Sequence, residues 1–220
     1  MPLLAIDTSA NYCSVAVVDC ESTNVLAEIS KDIGRGHAEI LMSEIEDGLA
    51  AAGVSYNDLT KLAVTIGPGS FTGVRVGMAV ARGLRLSLSI PLIGVSTLEA
   101  AERHAKELGV SGPIAVMLDA KRDQAFCKLP GTEPAARSYD ALVHALAEFN
   151  GTLCGSGAAE YNLRSNRDLP VAHELSAIPI GTIARQALVQ EPTGNAPEPL
   201  YLRSADAKKQ TGFALPRLGA

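Results

Sequence analysis

The chain has 220 residues, and its 19 lysines and arginines against 24 aspartates and glutamates give a formal net charge of −5 and a pI near 5.4. This balance disfavours a protein that grips a nucleic-acid backbone by itself, because phosphate contacts need clustered basic residues. A hydrophobic content of 47% is that of an ordinary globular protein, and the length allows one large domain or two small lobes.

The chain opens with a predicted β-hairpin that has an aspartate at its mouth. Residues 3–6 and 13–18 are apolar runs typical of buried strands, and the turn between them is polar, beginning Asp7-Thr8-Ser9. These residue types favour turns through local hydrogen bonds, so a plain hairpin turn accounts for them without any ligand. A third strand is predicted over residues 25–30.

A helix that begins at His37 is predicted next. Its apolar residues, including Leu41 and Ile45, recur on one stripe while its acids lie largely off that stripe. A lone histidine at a helix start is most often a hydrogen-bonded surface residue. Position 41 is leucine, so the helix has no pair of histidines four residues apart to bind a metal.

The clearest strand and the clearest helix of the chain are joined by one short loop. Residues 62–66 form an apolar, β-branched run, and Gly67-Pro68-Gly69 ends it. A helix of about 17 residues follows, which Ser70 or Thr72 can cap.

This helix carries two notable faces. Gly73, Gly77 and Ala81 recur every fourth residue and leave one face almost without side chains, so we expect another helix to approach there. We call these three residues the glycine face. Arg75, Arg82 and Arg85 share a neighbouring face.

The remaining predicted elements follow a regular order. A strand at 91–95 and a helix at 97–108 precede a Gly/Ser break at 109–112, which is the predicted boundary between the lobes. The strands at 114–119 and 125–129 then repeat the opening pattern of strand, acidic turn and strand. The last predictions are a helix at 139–149, a strand at 152–154, an edge strand at 170–173, a helix at 180–189, a proline-rich connector at 192–199 and a charged, disordered tail.

Three stretches of the sequence resemble one protein family. The stretches L-L-A-I-D-T-S, I-G-P-G-S-F-T-G-V-R-V-G and P-L-I-G-V-S-T-L-E-A-A are similar to those of the TsaB (YeaZ) family of tRNA threonylcarbamoyladenosine biosynthesis. The resemblance covers about the first 105 residues, and D-A-K-R-D-Q, C-G-S-G and P-L-Y-L-R extend it more thinly. It implies an α/β, actin-like (ribonuclease-H-like) fold of two similar lobes, each a mixed sheet flanked by helices. On this division, residues 1–109 form an N-terminal lobe with partner-binding helices, and residues 110–220 form a smaller C-terminal lobe with the closing segment.

The resemblance also implies a function and partners. It predicts a non-catalytic subunit that supports a catalytic paralogue, TsaD, in a heterodimer, together with the ATPase TsaE, in threonylcarbamoylation of the adenosine 3′ of the anticodon. Transfer RNA would be bound only through the complex. In the catalytic paralogue two histidines four residues apart hold the metal, and the matching positions here are Thr97 and Ala101, so we expect neither a metal site nor catalytic residues.

Two sets of site residues follow from the sequence and the resemblance. The candidates for a nucleotide cleft, by likeness to the phosphate-side and adenosine-side loops of actin-like ATPases, are Asp7, Thr8, Ser9, Asp119, Gly155 and Gly157. Because no lysine or arginine lies near the first hairpin and no P-loop signature exists, we expect no tightly bound cofactor, and ATP or ADP only weakly or at a partner interface. The candidates for the partner interface are His37, Leu41, Ile45, Gly73, Arg75, Gly77, Ala81 and Arg82.

Three alternatives stay open from the residues alone. The chain could be a weak actin-like ATPase or a metalloprotease-like enzyme, although its four histidines form no catalytic constellation in the sequence. It could also form a homodimer through the surface that we assign to the partner. The four cysteines show no C-x-x-C pair, and no apolar run reaches about 18 residues, so we expect a cytoplasmic protein without a membrane span.

Overall fold

The computed structural model describes residues 1–192 and 194–203, and this part of the chain contains nine strands and six α-helices. In chain order they are β1 Pro2–Asp7, β2 Tyr12–Asp19, β3 Val25–Asp32, α1 His37–Ala52, β4 Lys61–Gly67, α2 Phe71–Leu88, β5 Leu92–Ser96, α3 Thr97–Glu107, β6 Ile114–Asp119, β7 Gln124–Lys128, β8 Ala135–Ser138, α4 Tyr139–Ala145, β9 Thr152–Cys154, α5 Ala158–Ser165 and α6 Ile180–Leu188. Among these helices none is both long and apolar enough to cross a membrane.

The first sheet has the strand order β3-β2-β1-β4-β5. The central strand β1 pairs antiparallel with β2 and parallel with β4, and its residues from Leu3 to Ile6 are fully buried. Successive side chains of a strand point to opposite faces. Leu4 and Ile6 therefore pack under α1 and α2, while Leu3 and Ala5 pack under α6 on the other face.

The second sheet repeats this arrangement with the order β8-β7-β6-β9. Its central strand β6 pairs antiparallel with β7 and parallel with β9, as β1 does with β2 and β4. A single parallel bridge from Leu153 to Val171 stands where β5 stands in the first sheet. The predicted edge strand at 170–173 is therefore reduced to this bridge, whereas the predicted class of two similar lobes with mixed, helix-flanked sheets is confirmed.

Helices α3 and α6 lie between the two sheets and join their cores. Helix α6 packs against β1 and β2 of the first sheet, and α3 packs against β6 of the second. One continuous apolar cluster accordingly contains Ala5, Leu98, Val116 and Ile183. Helix α6, which comes late in the chain, thus covers one face of the first sheet. The lobe limits 1–109 and 110–220 stay a prediction.

Most predicted elements match the structure within one or two residues, and the differences lie in the second half. Strand β8 and helix α5 were not predicted, and α4 ends at Ala145 rather than near residue 149. Strand β8 is half-exposed throughout, so it lacks the apolar alternation that marks a strand in sequence. The predicted disordered tail beyond residue 203 lies outside the described residues.

Candidate functional site

The Gly-Pro-Gly loop packs against the turn that follows β1. The Ser70 N–H donates to the Ser9 carbonyl over 2.7 Å, and the Thr8 hydroxyl donates to the Gly73 carbonyl over 2.7 Å. A Cβ at Gly69 or Gly73 would collide with the carbonyl oxygens of Ser9 and Thr8. The glycines of this motif are therefore required for a close backbone contact within the chain.

The last residue of β1, Asp7, and the first residue of that turn, Thr8, point inward. Asp7 is 2% exposed, and its Oδ1 accepts hydrogen bonds from the Ser9 N–H at 2.8 Å and the Thr65 hydroxyl at 2.6 Å. Thr8 is 0% exposed. The structure thus corrects the expectation that Asp7 and Thr8 face a nucleotide, because both residues are buried and bonded within the chain through Asp7 Oδ1 and the Thr8 hydroxyl.

A polar cleft of about 460 Å³ lies between the two lobes. The first lobe contributes Ser9 and Ser70, and the second contributes Asp119 and Ser156. Of the six candidates for the nucleotide cleft, only Ser9 and Asp119 line it. The other lining residues are Ala10, Asn11, Pro68, Gly69, Thr97, Leu118, Ala120, Lys121, Phe126, Ser176 and Arg203.

Two cations reach this cleft from distant parts of the chain. Lys121 forms an ion pair with Asp119 at 2.7 Å, and Arg203 donates to the Ala120 carbonyl at 2.9 Å with its guanidinium 5.6 Å from the Phe126 ring. Burial raises the pKa of Asp119, but hydrogen bonds from Lys121 outweigh this effect and lower it below the usual value. Sequence reasoning missed both cations because it searched only near the first hairpin.

Gly155 and Gly157 flank the cleft residue Ser156 and pack against β6. Gly155 has φ 97°, and a Cβ there would collide with the Met117 carbonyl, to which the Gly157 N–H donates at 2.9 Å. Their role is close packing on β6 rather than contact with a ligand, which corrects their assignment to the cleft wall. They hold Ser156 at the cleft, where its hydroxyl accepts from the Asp119 N–H at 3.0 Å.

The glycine face of α2 turns toward the chain's own sheet. Gly73, Gly77 and Ala81 are buried, and a Cβ at Gly77 would lie 2.5 Å from the Thr8 hydroxyl oxygen and 3.5 Å from Val64. The expectation that this face receives a helix of another chain is wrong. Its small residues let α2 approach β1 and β4 closely.

Three further interface candidates are also buried. Leu41 and Ile45 lie in the core beneath α1, and the His37 Nε2 is 3.0 Å from the Ala10 carbonyl and 3.2 Å from the Tyr12 carbonyl. His37 therefore fixes the turn of the first hairpin. None of the three presents a free surface to a partner, which corrects their assignment to the interface.

The arginines of α2 bind residues 194–203, a segment after α6 that we call the strap. Arg82 and Arg85 donate to the carbonyls of Pro197 and Gly194 at 2.6 and 2.8 Å. The Leu200 N–H donates to the Ile66 carbonyl at 2.8 Å, where the pairing of β4 with β5 shifts register. The described hydrogen bond of Arg82 is thus an intramolecular contact with the strap.

The face of α2 that does point to solvent consists of small and apolar residues. Thr72, Ala79 and Gly83 are exposed, Leu86 is 75% exposed, and nothing lies within 4 Å of a Cβ added at Gly83. Arg75 is exposed at the first turns of the same helix. Of the predicted interface residues, only Arg75 stands on an open surface.

The positions that the family resemblance equates with the metal-binding histidines of the catalytic paralogue, Thr97 and Ala101, have packing roles here. The Thr97 hydroxyl donates to the Pro68 carbonyl at 2.6 Å, and Ala101 is fully buried with its carbonyl 3.1 Å from the His173 Nε2. Across residues 1–192 and 194–203, His, Cys, Asp and Glu form no cluster of three or more that could hold a metal ion.

Two similar mixed sheets, a shared core and a polar cleft between the lobes define a two-lobed α/β protein of the actin-like class. The family model described as TsaD, tRNA N6-adenosine threonylcarbamoyltransferase, matches residues 24–134, half of the chain. The tRNA threonylcarbamoyladenosine biosynthesis protein TsaB of Escherichia coli is 36% identical over 126 residues, which are 57% of this chain and 53% of that protein.

Two further similarities extend over nearly the whole chain. An uncharacterized protein of Mycobacterium tuberculosis is 32% identical over 212 residues, covering 94% of this chain and 93% of its own length. A Pseudomonas aeruginosa crystal structure, described as an uncharacterized protein with similarity to peptidase YEAZ, superposes with a TM-score of 0.76 at 26% identity and covers 92% of this chain and 99% of its own. The chain belongs to the TsaB (YeaZ) family, although it spans only about half the length of the TsaB relatives that it matches.

Proposed function

We propose that this chain is a non-catalytic subunit in the formation of threonylcarbamoyladenosine in tRNA. It acts as a scaffold and activator for a TsaD-type catalytic chain, together with the ATPase TsaE. The name of the E. coli relative supports the pathway. The family model for TsaD, which matches half of this chain, supports pairing with a paralogue of similar fold.

One observation carries the non-catalytic role. The two positions at which the catalytic paralogue holds its metal are a threonine that hydrogen-bonds to Pro68 and a buried alanine. Neither side chain supplies the imidazole nitrogen that a transition metal prefers. The chain therefore contributes binding and positioning rather than the reaction itself.

The partner surface that we propose is the outer face of α2. It includes the exposed Ala79 and Gly83, whose small side chains allow close approach of a partner helix. An arginine at Ala79 would hold such a helix away while pointing into solvent in the free chain. Leu163 on α5 is 76% exposed in the second lobe and offers a control at a distance from α2.

The test uses the chain with the TsaD and TsaE of its own cell. We expect TsaD to co-elute with the wild-type chain and with Leu163→Arg, but not with Ala79→Arg. Modification of tRNA should require this chain and should fail with Ala79→Arg. The proposal is refuted if TsaD and TsaE modify tRNA equally well without it.

A weak ATPase is the second candidate, because the cleft holds Lys121 and Arg203 near four serines. Lys121 is already paired with Asp119, however, which leaves little cationic charge for a triphosphate. We expect ATP or ADP to bind more weakly than about 1 μM, about −8 kcal/mol. Calorimetry that finds tighter binding, together with phosphate release by the isolated chain, would favour the ATPase.

A further inference from the structure

The exposed aromatic residues of the chain are gathered at one place. Among the described residues, Phe71 and Tyr201 are the aromatic side chains classed as exposed, at 39% and 46%. Their ring centroids lie 5.1 Å apart, and Arg75 stands over the Phe71 ring at 3.7 Å. The Arg75 Nε also donates to the Tyr201 hydroxyl at 3.0 Å. We call Phe71, Arg75 and Tyr201 the platform.

The platform is built from two distant parts of the chain. Phe71 and Arg75 belong to the first turns of α2, whereas Tyr201 is delivered by the strap. The strap is fixed next to the platform by the hydrogen bond from the Leu200 N–H to the Ile66 carbonyl. Tyr201 and Phe71 together hold the guanidinium of Arg75 in a defined orientation on the surface.

The guanidinium of Arg75 differs from a comparable one elsewhere in the chain. Arg164 also lies over a tyrosine, Tyr139 at 4.9 Å, but it forms ion pairs with Asp123 and Glu160. Arg75 forms no ion pair with a carboxylate of residues 1–192 or 194–203, and its described hydrogen bond uses only Nε. Within the part of the chain that the structure describes, its two terminal nitrogens have no hydrogen-bond partner, so they can bind a bidentate carboxylate.

We propose that the platform is an anchor for a TsaD-type partner, which places a carboxylate on Arg75 and an apolar side chain on Tyr201. Tyrosine and arginine are the residue types that dominate interface hot spots. The platform also adjoins the exposed face of α2 that we assign to the partner. This inference rests on the proposed function and adds that the strap takes part in partner binding.

The same chemistry suits a protein better than an RNA. A base could stack on Tyr201, but a nucleic-acid backbone needs several clustered cations. Along this side of α2, Arg82 and Arg85 are engaged with the strap carbonyls, so among the described residues Arg75 is the arginine of this helix that offers an open guanidinium. One guanidinium beside two rings fits a single acidic side chain.

The experiment measures the affinity of the TsaD-type partner by calorimetry or sedimentation. We expect Arg75→Gln and Tyr201→Ala each to weaken binding about 30-fold, the effect of a hot spot of about 2 kcal/mol. Tyr201→Phe keeps the aromatic ring and should lose much less affinity for the partner. The matched control Arg164→Gln removes an arginine from an aromatic ring on the second lobe and should bind as the wild type does.

Salt and RNA measurements complete the test. Wild-type affinity should fall with added salt, whereas the affinity of Arg75→Gln should fall less, because the variant lacks the guanidinium. If TsaD binds the wild type but binds Arg75→Gln and Tyr201→Ala equally well, the inference fails and the proposed function stands. If Arg75→Gln and Tyr201→Ala lose binding to an anticodon stem-loop while their binding to TsaD is unchanged, the platform binds RNA and the inference is overturned. If TsaD does not bind the wild type at all, the proposed function itself fails.

Discussion

Gly77 offers the sharpest test of how α2 lies on its sheet. In Gly77→Ala the new Cβ would stand 2.5 Å from the Thr8 hydroxyl oxygen, 3.5 Å from Val64 and 3.7 Å from Ile6. The Thr8 hydroxyl is fully buried and donates to the Gly73 carbonyl, so it cannot turn aside without losing that bond. The substitution therefore overpacks the contact of α2 with its sheet and displaces the Thr8 hydroxyl from its buried hydrogen bond.

The expected cost follows from three contributions. Overpacking of a core costs about 1–3 kcal/mol, and an unsatisfied buried hydroxyl costs about 1–3 kcal/mol. The better helix propensity of alanine offsets about 1 kcal/mol of this cost. Gly77→Ala should thus lower the free energy of unfolding by about 1–5 kcal/mol, with a fall in melting temperature of about 2–4 °C for each kcal/mol.

The same helix supplies the control. Gly83 has nothing within 4 Å of an added Cβ, so Gly83→Ala should raise stability by about 0.5–1 kcal/mol through propensity alone. Urea unfolding and thermal melting should show that Gly77→Ala lowers stability and Gly83→Ala raises it. Removing the hydroxyl with Thr8→Ala should make Gly77→Ala less costly in a double-mutant cycle. A Gly77→Ala protein as stable as the wild type would refute the close packing of α2 on β1.

Three other predictions concern acid stability and the strap. Arg185 pairs with Glu107 at 2.8 Å and lowers the Glu107 pKa to about 2. The stability that this ion pair gives the fold is therefore complete above the unfolded pKa of 4.5 and is lost as the pH falls toward about 2. Urea midpoints should show that Glu107→Gln loses less stability than the wild type over that range. Burial lowers the pKa of His173, aided by the nearby His104 and opposed by a backbone hydrogen bond, so the neutral form is favoured on folding. Stability should then decline as the pH falls below about 6.5, and His173→Asn should flatten that decline in melting temperature. Gly94→Ala would place a Cβ 2.6 Å from Pro197, so limited proteolysis should cut the strap faster than in the wild type, while an unchanged cleavage rate would contradict the packing of the strap on β5.

The platform shows why part of the site could not be predicted from sequence. Arg75 was assigned to an interface, but Tyr201 lies 126 residues further along and was assigned only to a closing motif. Lys121 and Arg203 likewise reach the cleft only because β6 and the strap meet there. Sequence spacing describes neighbours within one element and carries no information on which elements meet.

The sequence by itself determined the local elements of this protein. The buried runs of β1 and β4 and the apolar stripe of α1 have the periods of a strand and a helix, and such periods are properties of neighbouring residues. The motifs around Gly67 to Gly73 were likewise sufficient to indicate the family. Only the tertiary structure decided the direction of the glycine face, because a face without side chains fits either another chain or the chain's own sheet. The carbonyl of Thr8 against Gly73 settles that choice, since the turn after β1 occupies the space that a partner helix would need.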